Sequence, residues 1–282
     1  MKIKTALLAI VAAISFNGSL AQAQEKPITS IRIGTEGAFR PFNFTKPDGS
    51  LDGYEIDLGN ALCEKMKVEC TFVIQPFDSM IPALNAGKFD VIMSGLTNTA
   101  KRRETIDFSQ SYSLTPQVFA TLKGSPLDPL PHQGETLQLA SDKENAEKAI
   151  EDIKVAVKGR VIGVQTASLG LSLLDAYYKD SSEIREYKTT QQHDLDLKAG
   201  RVDIIVASLG YFNDLKTKPG YEDLVLVGPY YKGGLLGQGA GVGMRKNSPQ
   251  LQAMFNKAID EAKADGTIKR LSEKWFGFDV TP

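Results

Sequence analysis

Apolar and polar positions along this chain follow two periods that take turns. Ile31 to Gly34 is a short β-branched run; Tyr54 to Met66 then sets Ile56, Leu58, Ala61, Leu62 and Met66 at helical spacing, and Thr71 to Ile74 returns to strand character. That order predicts a β-α-β unit. Asp78 to Ala86 predicts a second helix, with Asp78 or Ser79 as N-cap and Gly87 as its stop, and Phe89 to Met93 predicts a buried strand that continues a parallel sheet. The order then runs again: strand Arg160 to Val164, helix Ser168 to Tyr178, strand Ile184 to Tyr187, helix Gln191 to Ala199 and strand Val202 to Val206. Two such rounds imply an α/β protein of two lobes.

The two rounds share a phrase. Leu84 to Leu96 reads LNAGKFDVIMSGL, and Leu197 to Gly210 reads LKAGRVDIIVASLG. Each ends a helix at Ala-Gly, turns, and enters an apolar strand through an aspartate. Each also delivers a small polar segment, Ser94, Gly95 and Thr97 or Ser208, to the C-terminal end of its strand, where open parallel sheets bind ligands. Between the rounds lies the turn-rich GSPLDPLPHQGE and a charged segment, Ser141 to Lys158, with Ala146, Ala149, Ile150, Ile153 and Val157 on one face. That pattern predicts a surface helix on the second lobe. Pro249 to Ala264 and Thr267 to Trp275 predict two closing helices split at Asp265-Gly266, with Trp275 and Phe276 packing the tail onto a lobe.

Composition narrows the function. The first residues carry Lys2 and Lys4, an apolar run from Ala6 to Phe16, and Ala21-Gln22-Ala23 as a small-x-small site, which reads as an export signal over 1–23 cleaved near Ala23. The run is about half the length that spans a bilayer, and no cysteine near the site could take a lipid. The mature chain is therefore expected to be soluble. Of 33 basic and 34 acidic residues, removal of Lys2 and Lys4 leaves 31 against 34, so charge makes no case for nucleic acid or anionic membrane. The two cysteines, Cys63 and Cys70, are expected to form a local disulfide in an oxidising compartment. His132 and His193 stand alone, so no metal site is expected, and no cofactor.

The candidate chemistry begins at IRIGTEGAFRPFNF, Ile31 to Phe44, where a strand runs into a loop carrying Glu36 and Phe39, followed by DGYEIDL, Asp52 to Leu58. Such a loop can hold a small charged ligand. These segments, with FDSMIPALNAGKFDVIMSGLTNTAKRRETIDFSQSY, GVQTAS, the LKAGRVD strand entry, GAGVGMRK, DGTIKRLSEKWFGF and the cysteine pair, span residues 31 to 278. Together they resemble the periplasmic substrate-binding proteins of polar amino-acid ABC importers, the class of lysine/arginine/ornithine, histidine and opine binders.

That resemblance implies a type II periplasmic-binding fold, two Rossmann-like lobes closing on one ligand about a two-crossing hinge. It places lobe one at 24–115 and 230–282 and lobe two at 116–229, with crossings near Leu114 to Val118 and Val227 to Tyr231. It implies a transient partner, an inner-membrane permease, for a periplasmic protein that acts as a monomer. Arg102 falls where the family's arginine grips a ligand carboxylate, a task its planar fork suits; Arg103 is the adjacent alternative, expected at the surface. Ser94, Gly95 and Thr97 align with positions offering amides and hydroxyls to the same end of the ligand. Phe39 and Phe77 sit where two rings sandwich the ligand side chain. Gln165 and Ser168 fall at a lobe-two helix start facing a carboxylate, and Gln117, beside the first crossing, is expected on geometry alone to be a specificity position.

Two departures from the family pattern matter. Basic-amino-acid binders commonly carry Asp where this chain has Glu36, and another Asp, partner of the ligand α-ammonium, where it has Ser208. Loss of the second carboxylate favours a ligand whose α-nitrogen is substituted and which bears an extra carboxylate. Opines of the octopine and nopaline type, arginine joined to a keto acid, meet that description; a plain amino acid (arginine, lysine, ornithine, histidine or glutamine) is the alternative. A dehydratase-like enzyme on the same fold is a remote one, because TASLG at 166 and VASLG at 206 lack the leading glycine of a nucleophile elbow, and GGLLGQGAGVG leads into a strand rather than a helix. A receptor domain of this fold would need a tether or output module beyond Pro282.

Overall fold

The computed structural model describes residues 27–282; the expected signal, 1–23, lies outside them. Besides a small three-stranded sheet over Ala38–Phe39, Asn43–Thr45 and Leu51–Asp52, the chain builds two large sheets, each with its own core. The first runs in the order Glu69–Ile74, Ser30–Thr35, Val91–Ile92, Ala240–Arg245, Ile106–Ser113, the first three parallel and the last two antiparallel to their neighbours. The second runs Glu183–Tyr187, Val161–Gln165, Ile204–Ser208, Gln117–Leu122, Leu224–Lys232, Thr136–Gln138. Its first three strands are again parallel, and Gln117–Leu122 is antiparallel to both its neighbours.

The shared phrase has a structural reason. In each lobe a glycine with positive φ, Gly87 or Gly200, turns the chain out of a helix, and the aspartate three residues on reaches the start of the neighbouring strand. Asp90 Oδ2 accepts from the backbone N–H of Arg32 at 3.0 Å, and Asp203 Oδ2 accepts from that of Val161 at 2.8 Å. In both lobes the aspartate's own N–H returns to the same residue's carbonyl at 2.9 Å. The aspartate thus fixes where the central pair of parallel strands begins. Once the start is fixed, the C-terminal ends of both strands arrive level at the cleft.

Helices cover the sheets as the periodicity predicts. Tyr54–Met66 buries Tyr54, Ile56, Leu58 and Leu62 against Pro249–Ala264 and Thr267–Phe276, and Lys143–Ala156 buries Ala146, Ala149, Ile150 and Ile153. Burying such faces stabilises each lobe at about 25 cal/mol per Å² of apolar surface removed from water. Trp275 donates from Nε1 to Asp57 at 2.8 Å, and Phe276 packs edge-on to Tyr54 and Phe42. Cys63 and Cys70 are joined, their Cα atoms 6.2 Å apart, tying that helix to the edge strand. Among the described residues no helix is long and apolar enough to cross a membrane.

The chain changes sheet twice. The first passage covers 114–116. The second falls later than Val227 to Tyr231, because the strand Leu224–Lys232 resumes after an irregularity between Val227 and Tyr231 and pairs on with Thr136–Gln138. The chain leaves that sheet only over 233–239, so the expected boundary at 230 is displaced to beyond Lys232. Helix Asp78–Ala86 also differs in its first turn, which is 3₁₀ over Phe77–Ser79 because the Ser79 hydroxyl donates back to the Pro76 carbonyl instead of capping.

Candidate functional site

The two sheets face each other across a cleft with about 840 Å³ of empty space, its part open to solvent included. All eleven residues singled out from the sequence line it: Glu36, Phe39, Phe77, Ser94, Gly95, Thr97, Arg102, Gln117, Gln165, Ser168 and Ser208. Arg103, by contrast, is exposed and donates to Asn98. The topology explains the convergence. Glu36 follows strand Ser30–Thr35, Ser94 follows Val91–Ile92, and Gln165 and Ser208 end their own strands, so these cleft-lining groups are strand termini. Gln117 joins them because it pairs across the antiparallel register with Ser208.

Three groups tie one lobe to the other. Gln165 Nε2 donates to Glu36 Oε1 at 2.7 Å, Arg102 Nη2 donates to the carbonyl of Ala167 at 3.0 Å, and Gln191 Nε2 donates to that of Ala38 at 2.6 Å. The lobes are therefore closed on the cleft. Glu36 is 6 % exposed, and loss of water pushes its carboxyl up to about 7, against the lowering pull of the Gln165 amide. Arg102 is half-buried, and desolvation holds its guanidinium down to about 10. It hydrogen-bonds only carbonyls, Thr97 and Ala167, each at 3.0 Å. A desolvated cation facing carbonyls alone is built to take an anion.

Several roles differ from expectation. The Gly95 N–H donates to Glu55 Oε1 at 2.7 Å and is not free for a ligand. Glu55, fully buried, also accepts from Asn43 Nδ2 at 2.7 Å and from the Tyr112 hydroxyl, and burial raises its pKa. Gly95 itself is required because, at φ +59°, an added Cβ would stand 3.1 Å from the Phe39 ring. The Ser94 Oγ accepts from the Glu36 N–H at 3.0 Å, so it positions the acid. Ser168 and Ser208 both cap helices, accepting from Leu171 and Tyr211 N–H groups at 3.1 and 3.3 Å.

The expected pair of rings is also rearranged. Phe77 lines the cleft with the Arg102 guanidinium 5.8 Å from its centroid. Phe39 instead stacks in parallel on Phe42, at 4.7 Å, and on Tyr211, at 5.5 Å. Phe42 belongs to the core of lobe one and Tyr211 to that of lobe two, so Phe39 is held between lobes. Sequence reasoning missed Tyr211, and it missed Lys232, which lines the cleft at the end of its strand. The tyrosine lies inside an apolar helix face, where nothing marks it as more than core. Lys232 sits in YYKGG, a segment assigned to the crossing and not to the cleft.

Two α/β lobes closed over strand-end groups, with one buried acid and one desolvated guanidinium between them, define a solute-binding protein of the two-lobed type II fold. The chain belongs to the bacterial extracellular solute-binding proteins, family 3, whose pattern matches residues 31–278. It is 41% identical to the octopine-binding periplasmic protein of Rhizobium meliloti, over 93% of this chain and 94% of that one. It is 36% identical to the L-arginine-binding protein of Pseudomonas aeruginosa, over 92% and 91% of the two chains. The structure of an ABC uptake transporter substrate-binding protein from Streptococcus pneumoniae with bound histidine superposes with a TM-score of 0.74 at 27% identity, over 89% of this chain and 94% of that one.

Proposed function

We propose that this protein is the periplasmic binding component of an ABC importer and that its ligand is an arginine-derived opine of the octopine or nopaline type. The observation that carries the proposal is the charge of the cleft. Its lining has one acid, Glu36, and two bases, Arg102 and Lys232. Where a partner for a primary α-ammonium would stand, Ser208 offers a hydroxyl engaged as a helix cap. Arginine brings two cations and one carboxylate to a wall with an excess of positive charge. An opine keeps the guanidinium for Glu36 and brings at least two carboxylates, one for the Arg102 fork and one for Lys232. Similarity to the octopine-binding relative supports the same reading.

The protein acts by binding and release. Neither His132 nor His193 lines the cleft, and we assign the acid that does, Glu36, to the ligand's cation. We assign it a cleaved export signal, a monomeric state and a transient inner-membrane permease partner that reads the closed form, which the ligand stabilises by its differential affinity. Calorimetry against octopine, nopaline, arginine, histidine and glutamine tests the ligand. The expected result is at least tenfold tighter binding of one opine than of arginine. Submicromolar arginine binding with no opine binding sinks the proposal, and mass analysis of the recovered ligand exposes any turnover.

A further inference from the structure

Phe39 reaches from the loop after the first strand toward the opposite lobe. One face of its ring lies on Phe42, 4.7 Å away with planes 9° apart, and Tyr211 lies parallel at 5.5 Å and 10°. Phe42 is 3 % exposed and belongs to the lobe-one core, so the ring meeting Phe39 from across the cleft is Tyr211. Gly95 comes against the ring's edge. Phe77, in contrast, is half-buried and open to the cleft.

Tyr211 is itself held in place. Its hydroxyl donates to Asp194 Oδ2, and Asp194 is 1 % exposed. Its ring meets His193 edge-on at 6.2 Å, and His193 Nδ1 stands 3.0 Å from Asp194 Oδ1. The start of its helix is pinned by the Ser208 cap, whose residue lines the cleft. Three residues further on, Asp214 approaches Arg40 of lobe one at 3.8 Å. One short helix, Leu209–Leu215, therefore carries two contacts to the loop that bears Glu36 and Phe39.

We propose that Tyr211, anchored by Asp194, is a positioning residue for ligand recognition: it completes a three-ring stack across the closed lobes and fixes Phe39 edge-on to the cleft. This rests on the reading of the cleft as a site for a guanidinium ligand. The consequence is a slot with one open ring face, that of Phe77. A guanidinium needs one face and the Glu36 carboxylate. A flat ring such as imidazole gains most from two faces and is disfavoured. Tyr211 thus sets both the lifetime of the closed form and the preference for guanidinium over imidazole ligands.

The test compares wild type, Tyr211→Leu, Tyr211→Phe, Phe39→Leu and the Phe39→Leu/Tyr211→Leu double variant by stopped-flow and calorimetry with octopine, arginine and histidine. Loss of one aromatic pair predicts dissociation of the best ligand about 2- to 10-fold faster in Tyr211→Leu, with association unchanged. Tyr211→Phe keeps the ring but loses the hydroxyl that Asp194 holds, and should dissociate at a rate between wild type and Tyr211→Leu. The ratio of histidine to arginine affinity should rise in Tyr211→Leu, and the double variant should dissociate no faster than Phe39→Leu alone. Unchanged dissociation in Tyr211→Leu, or effects of the two substitutions that simply multiply, overturns the proposal. Should Tyr211→Leu not fold, Tyr211→Met is read in its place against the same expectations. Wild type that binds none of the three ligands refutes the guanidinium reading of the cleft itself, a result separate from any behaviour of the variants.

Discussion

Replacing Arg102 by alanine removes the group proposed to hold the ligand's anionic end. Arg102 makes two hydrogen bonds, to the carbonyls of Thr97 and Ala167 at 3.0 Å each, and desolvation holds its guanidinium down to about 10. It remains charged at neutral pH, and its hydrogen-bond partners include no carboxylate. A ligand carboxylate arriving there forms charge-assisted bonds, each worth about 1.5 to 3 kcal/mol. Their loss predicts weaker opine binding by about 10- to 150-fold, and by more where both oxygens are engaged. Arg102→Lys should fall between, since an ammonium keeps the charge and loses the fork. The ligand-free melting temperature should move by less than about 3 °C, because relief from an unpaired, desolvated cation offsets the two lost carbonyl bonds. Titration calorimetry reads the affinity and thermal unfolding reads the stability. Equal affinity in wild type and Arg102→Ala would refute the reasoning and place the carboxylate elsewhere.

Two further outcomes follow from the same geometry. Burial holds the Glu36 carboxyl up to about 7, against 4.5 in the unfolded chain, so its contribution to the closed fold is complete below about 4.5 and is lost as pH rises through about 7. A guanidinium placed beside Glu36 favours the carboxylate, so binding near pH 7 should expel a fraction of a proton, seen as a dependence of the calorimetric heat on buffer ionisation enthalpy; no dependence refutes the role. Ser208→Asp keeps a good N-cap and restores a carboxylate to the cleft; it should tighten arginine and weaken octopine by about tenfold each, as an ion pair of about 1.4 kcal/mol predicts, and the calorimetric ligand panel measures both.

Much of this was legible in the sequence, for physical reasons particular to each part. The phrase ending in Ala-Gly and entering through aspartate located the central strand of each lobe, because Asp90 and Asp203 can cap a neighbouring strand only at that distance from the turn. Strand ends were legible as cleft positions because parallel sheets present them together. The roles of Gly95 and Phe39 were not legible. Both depend on partners remote in sequence, Glu55 for the Gly95 amide and Tyr211 for the Phe39 ring, and an apolar helix position or a buried acid gives no local signal of such a partner. The second crossing was misplaced because a strand with an interrupted register looks, in sequence, like a strand that has ended.

Glu55 divides the cleft into two evolutionary substrates. Through Asn43, whose side chain also accepts from the Gly37 N–H at 2.8 Å, it ties down the loop of Glu36 and Phe39; through Gly95 and Tyr112 it ties the adjoining strand end and the strand leading to the first crossing. A substitution anywhere on that wall is felt by all of it. On the facing wall the ties are shorter: Ser168 and Ser208 each cap their own helix, and Gln117 pairs with Ser208 in the adjoining strand. New ligands should therefore be acquired one residue at a time on the second lobe, while the first keeps its grip on whatever charged ends those ligands share.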